Sequence, residues 1–239
     1  MRKIFFIGMF LISGYASGQL NLSKVLQDAK KKLQTTGTPL SAGDVADGLR
    51  EALVKGTGKS SDVLSQVDGY FKNPEIKIPF PPDVKKVEDK LRQIGLGDQV
   101  DKFILTLNRG AEDAAKEAKP IFINAIKQMT IEDAWAILKG QPDAATQYLK
   151  TTTSSQLSDK FKPVIKNSLD KVNATKYYTD IITTYNKIPF VDKVNPDLNE
   201  YATQRAMQGL FTMIAIEERK IRDNPLERTT DLLKKVFGA

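Results

Sequence analysis

Apolar residues recur every three to four positions along nearly the whole chain, and almost nothing reads as strand. The pattern predicts an all-α fold. Its sharpest feature is Met129–Leu149 (MTIEDAWAILKGQPDAATQYL), which reads as two helices folded about one corner. Thr130 and Asp133 have the spacing of a capping box. Ile131, Ala134, Trp135 and Leu138 fall at i, i+3, i+4 and i+7, which places the only tryptophan on the buried stripe. Gly140 is expected to end this helix in the left-handed region, with Pro142 restarting the chain at a first helical turn. Ala144, Ala145, Tyr148 and Leu149 then face inward.

The same periodicity places the other elements. Asn21–Gln34 is an amphipathic leading helix on a tether. A helix opening at Leu40-Ser41 closes at Gly56-Thr57-Gly58, and Val63, Leu64, Val67, Tyr70 and Phe71 make a short third one. Asn73–Pro82 holds four prolines and must be extended. Helices follow over Asp83–Ile94, stopped by Gly95, from Asp98 onward, and again from Pro120. Beyond the corner, Thr153–Gln156 reads as a capping box for a new helix that Pro163 kinks or restarts. Asn173 caps a tyrosine-rich helix. Lys187–Val191 repeats the Lys-Ile-Pro-Phe of Lys77–Phe80, which makes the two segments candidates for a small ribbon. Asn195-Pro196 and Asn224-Pro225 read as helix starts, the second opening a final helix that buries Leu226, Leu232, Leu233, Val236 and Phe237. The expected architecture is a compact bundle of roughly ten helices with two short extended, proline-containing segments.

The first residues change the picture of where the protein works. Arg2 and Lys3 precede an apolar core, Ile4–Ile12, that is too short to span a bilayer, and Ala16-Ser17-Gly18 suits signal peptidase. The chain therefore divides into a signal peptide (1–18), a leading helix and tether (19–39) and a single helical domain (40–239). The mature protein is expected to start near Gln19, to be periplasmic or secreted, and to carry no membrane-spanning segment. Cleavage lowers the net charge from +7 to +5, with 34 basic against 29 acidic residues. These charges are well mixed, which gives no reason to expect nucleic acid as a partner. The leading helix remains open to weak membrane-surface contact.

Absent residue types narrow the chemistry further. There is no cysteine and no histidine, so thiol chemistry, disulfides, histidine-based triads and histidine metal sites are excluded. We expect no cofactor and no metal. Gly56-Thr57-Gly58-Lys59-Ser60 only superficially resembles a phosphate loop, because position 53 is leucine and no strand precedes it. An enzyme built from this chain is left with carboxylate pairs, Ser–Lys or Thr–Lys arrangements, or tyrosine. The sequence leans away from catalysis.

Several separated motifs occur in a characteristic order: Asn108-Arg109-Gly110-Ala111-Glu112, Met129-Thr130 to Ala134, Gly140, Ala144-Ala145-Thr146 with Tyr148, Gly209-Leu210-Phe211, Glu217-Glu218, Ile221-Arg222 and Asp231–Gly238. From about Leu49 to Gly238 the chain resembles the bacterial domain-of-unknown-function family 4197. That resemblance implies an exported, all-helical protein and no assigned activity. Gly110 stands where the resemblance leads one to expect alanine.

Two polar stripes supply the candidate ligand- or partner-binding site. Arg109, Glu112 and Lys116 lie on one helix face, and Glu217, Glu218 and Arg222 lie near the end of the long C-terminal helix. Either they are surface salt-bridge ladders or they converge on a groove beside the Gly140 corner. The favoured function is non-catalytic binding of a partner, peptide or amphiphile in an inter-helix groove. The alternative is a carboxylate-based hydrolase of cell-envelope glycans, choosing its pair among Glu112, Asp133, Glu217 and Glu218.

Overall fold

The structure, a computed structural model, describes residues 41–187, 189–190, 192–224 and 234. The expected signal peptide, the leading helix and the final helix lie outside the described residues. Eight described helices follow in order: α1 (Ala42–Leu64), α2 (Lys85–Gln93) after a 3-10 turn at Pro82–Val84, α3 (Gly97–Ala115), α4 (Ala118–Gln128), α5 (Ile131–Lys139), α6 (Ala144–Asp170), α7 (Ala174–Tyr185) and α8 (Leu198–Asp223). The protein is all-α, and among the described residues there is no strand.

α6 is the central rod. Leu149, Thr153, Leu157, Phe161, Ile165 and Leu169 recur every four residues and are buried, forming an i, i+4 ridge. α8 carries a matching ridge of Leu198, Ala202, Ala206, Leu210 and Ile214. The two helices run antiparallel. Glu218, late in α8, meets Ala145 in the first turn of α6, while Lys162 and Glu200 pair at 2.8 Å at the other end. α3 and α4 flank α6, and α1 packs across α4, α5 and α8.

Four expectations about the helices change. α1 does not stop at Gly56 but runs to Leu64. A Cβ on Gly56 would lie 3.8 Å from Ile221 Cδ1 and 3.9 Å from Glu217 Cβ, so the small residue sits against α8. Packing against the neighbour outweighs the weak helix preference of glycine. The short third helix is replaced by turns over Ser65–Ile76. Thr153 and Ser154 start no new helix either. Their hydroxyls donate back to Leu149 O and Lys150 O at 2.6 Å each, and α6 runs unbroken through Pro163. α8 begins two residues later than expected, with Asp197 rather than Asn195 as its cap, accepting the Glu200 amide at 2.9 Å.

The expected ribbon is not formed among the described residues. Asn108 on α3 supplies what a neighbouring strand would. Its side-chain oxygen accepts the Ile78 N–H and its amide donates to the Ile78 carbonyl, both at 2.8 Å. Asn108 and Ile78 are both buried, so this pairing satisfies backbone groups that water cannot reach.

Candidate functional site

The Thr130–Asp133 capping box is present in both directions, at 3.1 and 2.9 Å. The rest of the corner differs from expectation. Gly140 is extended (φ −78°, ψ −170°), not left-handed. Glycine is required by space: a Cβ there would sit 2.7 Å from Ala136 O and 2.8 Å from Ala144 Cβ. Trp135 is only half-buried, with the Lys139 ammonium 5.0 Å from the ring centre. Ala134 and Ile137 occupy the buried line, and Ile131 is exposed. The helix is rotated about its axis from the orientation that its largest side chains suggest.

The predicted polar residues occupy three places. Glu218 is buried on α8 and accepts the Ala145 N–H at 3.1 Å, the Thr146 N–H at 2.9 Å and the Thr146 hydroxyl at 2.8 Å. It thereby caps the start of α6, where unpaired N–H groups and the helix dipole both favour a negative charge. Arg222, one turn on, donates to Glu218 at 2.8 Å and to the Ile137 carbonyl at 3.0 Å. One ion pair thus holds the end of α5 and the start of α6. At the opposite end of α5, Arg50 donates to the Met129 carbonyl at 2.6 Å.

Arg109 and Glu112 make a separate clamp on the turns that follow α1. Asp68 takes positive φ (71°), and Gly69 follows where a Cβ would meet Val63 O at 2.5 Å. This turn delivers the Tyr70 and Phe71 N–H groups to Glu112 Oε1 at 3.1 Å each. Arg109 bridges Glu112 Oε2 at 2.5 Å and Asp68 at 2.7 Å. Hydrogen bonds from Lys72 and Arg109 hold the Asp68 carboxyl below its ordinary range. Tyr70 is fully buried with its hydroxyl on the Ala206 carbonyl at 2.7 Å; burial, then the Glu112 charge, raises its ionisation far out of reach.

Glu217 forms the third centre, between Lys59 of α1 at 2.8 Å and Lys220 at 2.7 Å. Burial pushes its carboxyl up, but the bonds to Lys220 and Lys59 outweigh that and leave it below the ordinary value. The predicted carboxylates are therefore buried tie points rather than surface ladders. The described partners of Arg109 and Glu112 are not those of Glu218 and Arg222, and the concavity that Glu218 and Arg222 line among the described residues holds only about 20 Å³.

A strongly apolar concavity lies elsewhere, between α2, α3 and α7. It encloses about 590 Å³ and is walled by Leu91, Leu96, Val100, Phe103, Val172 and Tyr178, among others. Phe80, Phe103 and Tyr178 form a row of rings at centroid spacings of 5.0 and 6.3 Å. At its lip, Tyr177 is 62% exposed, Val172 51% and Ile181 38%. Tyr177, Tyr178, Ile181 and Ile182 stand along the tyrosine-rich helix as two adjacent pairs. Only Tyr178 and Ile182 are buried. The legible signal was the doubling, because adjacent apolar pairs make a stripe wider than one packed neighbour covers.

Comparison with curated proteins and with solved structures returns no match. The profile of the family described as "Protein of unknown function (DUF4197)" matches residues 39–238, and with that span covered the chain belongs to this family.

Proposed function

We propose that this is an exported, periplasmic, non-catalytic protein that binds an amphiphile in the groove between α2, α3 and α7. The groove itself carries the reading: about 590 Å³ falls within the range of ligand pockets, roughly 300–1,000 Å³, whose walls are mostly apolar with few polar groups. Side chains such as Tyr177 and Val172 stand exposed at its edge, where a folded domain without a partner gains nothing from them.

The polar centres support the same reading by what already occupies them. A general acid needs a raised pKa and an open face toward substrate. Glu218 and Glu112 each accept backbone N–H groups and an arginine. Asp133 is committed to its cap, and Glu217 is held below its ordinary value. Export rests on the pattern of Met1–Gly18; no helix among the described residues is long and apolar enough to cross a membrane.

An uncharged solvatochromic dye tests the groove. It should bind one per chain, and Ile181→Asp should abolish binding while leaving thermal stability nearly unchanged, since Ile181 is partly exposed. Dye binding indifferent to Ile181→Asp would place the apolar site elsewhere. Intact mass of periplasmic protein starting at Gln19 tests export.

A further inference from the structure

We infer that the groove selects an amphiphile with an anionic head, and that Lys102 receives that head; the inference rests on the groove reading above. Lys102 is the only charged residue among the described residues that line the cavity. The two other ordinary polar side chains of the lining, Gln99 and Thr106, share its helix. Positions 99, 102 and 106 differ by three and four, so they form one row along α3. The charged and amide groups therefore gather on one rim, and the facing rim offers Val172, Ile181 and Tyr177, whose hydroxyl is the polar group on that side.

A rim of this kind matches a molecule with one polar end. The Lys102 ammonium and the Gln99 amide supply N–H donors. The Thr106 hydroxyl already donates to the Lys102 carbonyl at 2.9 Å. No acidic side chain is among the described residues of the lining; Asp83 acts on the wall residue Tyr178 from outside it, so the charge at the rim itself is that of Lys102. The chain of the ligand would lie over Phe80, Phe103 and Tyr178. An extended peptide is a poorer fit, because there is no strand edge among the described residues to pair its backbone.

Titration of the full chain by calorimetry with decanoate, decanol and decyltrimethylammonium tests the assignment. Decanoate should bind about tenfold more tightly than the cationic amphiphile. Lys102 is exposed, so Lys102→Gln should weaken decanoate only about fivefold and leave decanol unchanged. Lys102→Glu should reverse the order of the two charged ligands. The advantage of decanoate should also shrink as salt is raised. An order of affinities unmoved by Lys102→Glu, with all three ligands still displacing the uncharged dye, would overturn the head-group assignment and leave the groove reading standing. Displacement of the dye by an amphipathic helical peptide but by no amphiphile would give the groove to a protein partner and overturn the proposal. Failure of the dye itself to bind would remove the groove reading on which it rests.

Discussion

Glu218 receives both the backbone N–H and the hydroxyl of Thr146, at 2.9 and 2.8 Å, across 72 residues of sequence. A carboxylate from the last long helix thus does the work of an N-cap for the central one. Glu218→Ala removes three hydrogen bonds to the start of α6 and leaves Arg222 without its described carboxylate. Breaking a buried, hydrogen-bonded pair from one side costs about 3–5 kcal/mol, and urea denaturation should show a loss of that size. A loss below about 1 kcal/mol would remove Glu218 from the corner's support.

Arg109 and Glu218 should act independently. Arg109 binds Asp68 and Glu112, and Glu218 binds Ala145, Thr146 and Arg222. Residues without shared partners add within roughly 0.5 kcal/mol in a double-mutant cycle. A coupling above about 1 kcal/mol would show that the two clamps form one network.

These contacts mark where the sequence stops being readable. The Thr130–Asp133 box is local chemistry at a spacing of three residues, and it stands as read. Gly95 likewise ends α2 at positive φ (87°). The stop expected at Gly56 is absent because packing against α8 overrides local preference, and α6 does not restart at Pro163 but continues through it. The cap on α6 had no local signature, since its carboxylate comes from α8. The groove was masked by its own composition: Tyr177 and Tyr178 look alike to a hydropathy pattern, and only the placement of α2 and α3 decides which is covered.

Two glycines in helices should respond to alanine with opposite sign. At Gly209 a Cβ would stand 2.7 Å from Tyr70 Cε1 and 3.1 Å from Ile76 Cβ. Tyr70 is buried and anchored on Ala206, so it cannot yield, and Gly209→Ala should cost about 1–3 kcal/mol. At Gly110 the nearest neighbour is Ser168 Cβ at 3.4 Å, an ordinary contact. There the helix preference of alanine should stabilise by about 0.5–1 kcal/mol. Thermal unfolding of the two variants against the wild type checks both signs.

Trp135→Ala should cost only about 1–2 kcal/mol. Emptying a fully buried aromatic site costs roughly 3–5 kcal/mol, but Trp135 is half-buried with Lys139 over its ring. Its fluorescence should accordingly be more red-shifted than that of a core tryptophan. A denaturation loss of about 3 kcal/mol or more would return the residue to the core.

Acid should destabilise the domain through its paired carboxylates, and Glu217 offers a way to see one of them. Its folded-state carboxyl lies below the ordinary 4.5 because the bonds to Lys220 and Lys59 outweigh burial. A group depressed on folding adds stability above its unfolded value and loses it as pH falls through the folded value. Asp68 and Glu200 are shifted the same way, by bonds to Lys72 and Arg109 and to Lys162 and Gln204. Thermal midpoints should therefore hold near neutrality and drop as pH passes below about 4.5. Replacing Lys59 and Lys220 together by methionine leaves Glu217 with burial as the dominant influence, which raises its carboxyl above the unfolded value. The sign then reverses: in the variant the charged form is destabilising at neutral pH, and protonation relieves it. The difference in midpoint between wild type and variant should be large at pH 7.5 and should shrink toward pH 4. A difference that stays constant over that range would show that Glu217 does not draw its stability from the two lysines.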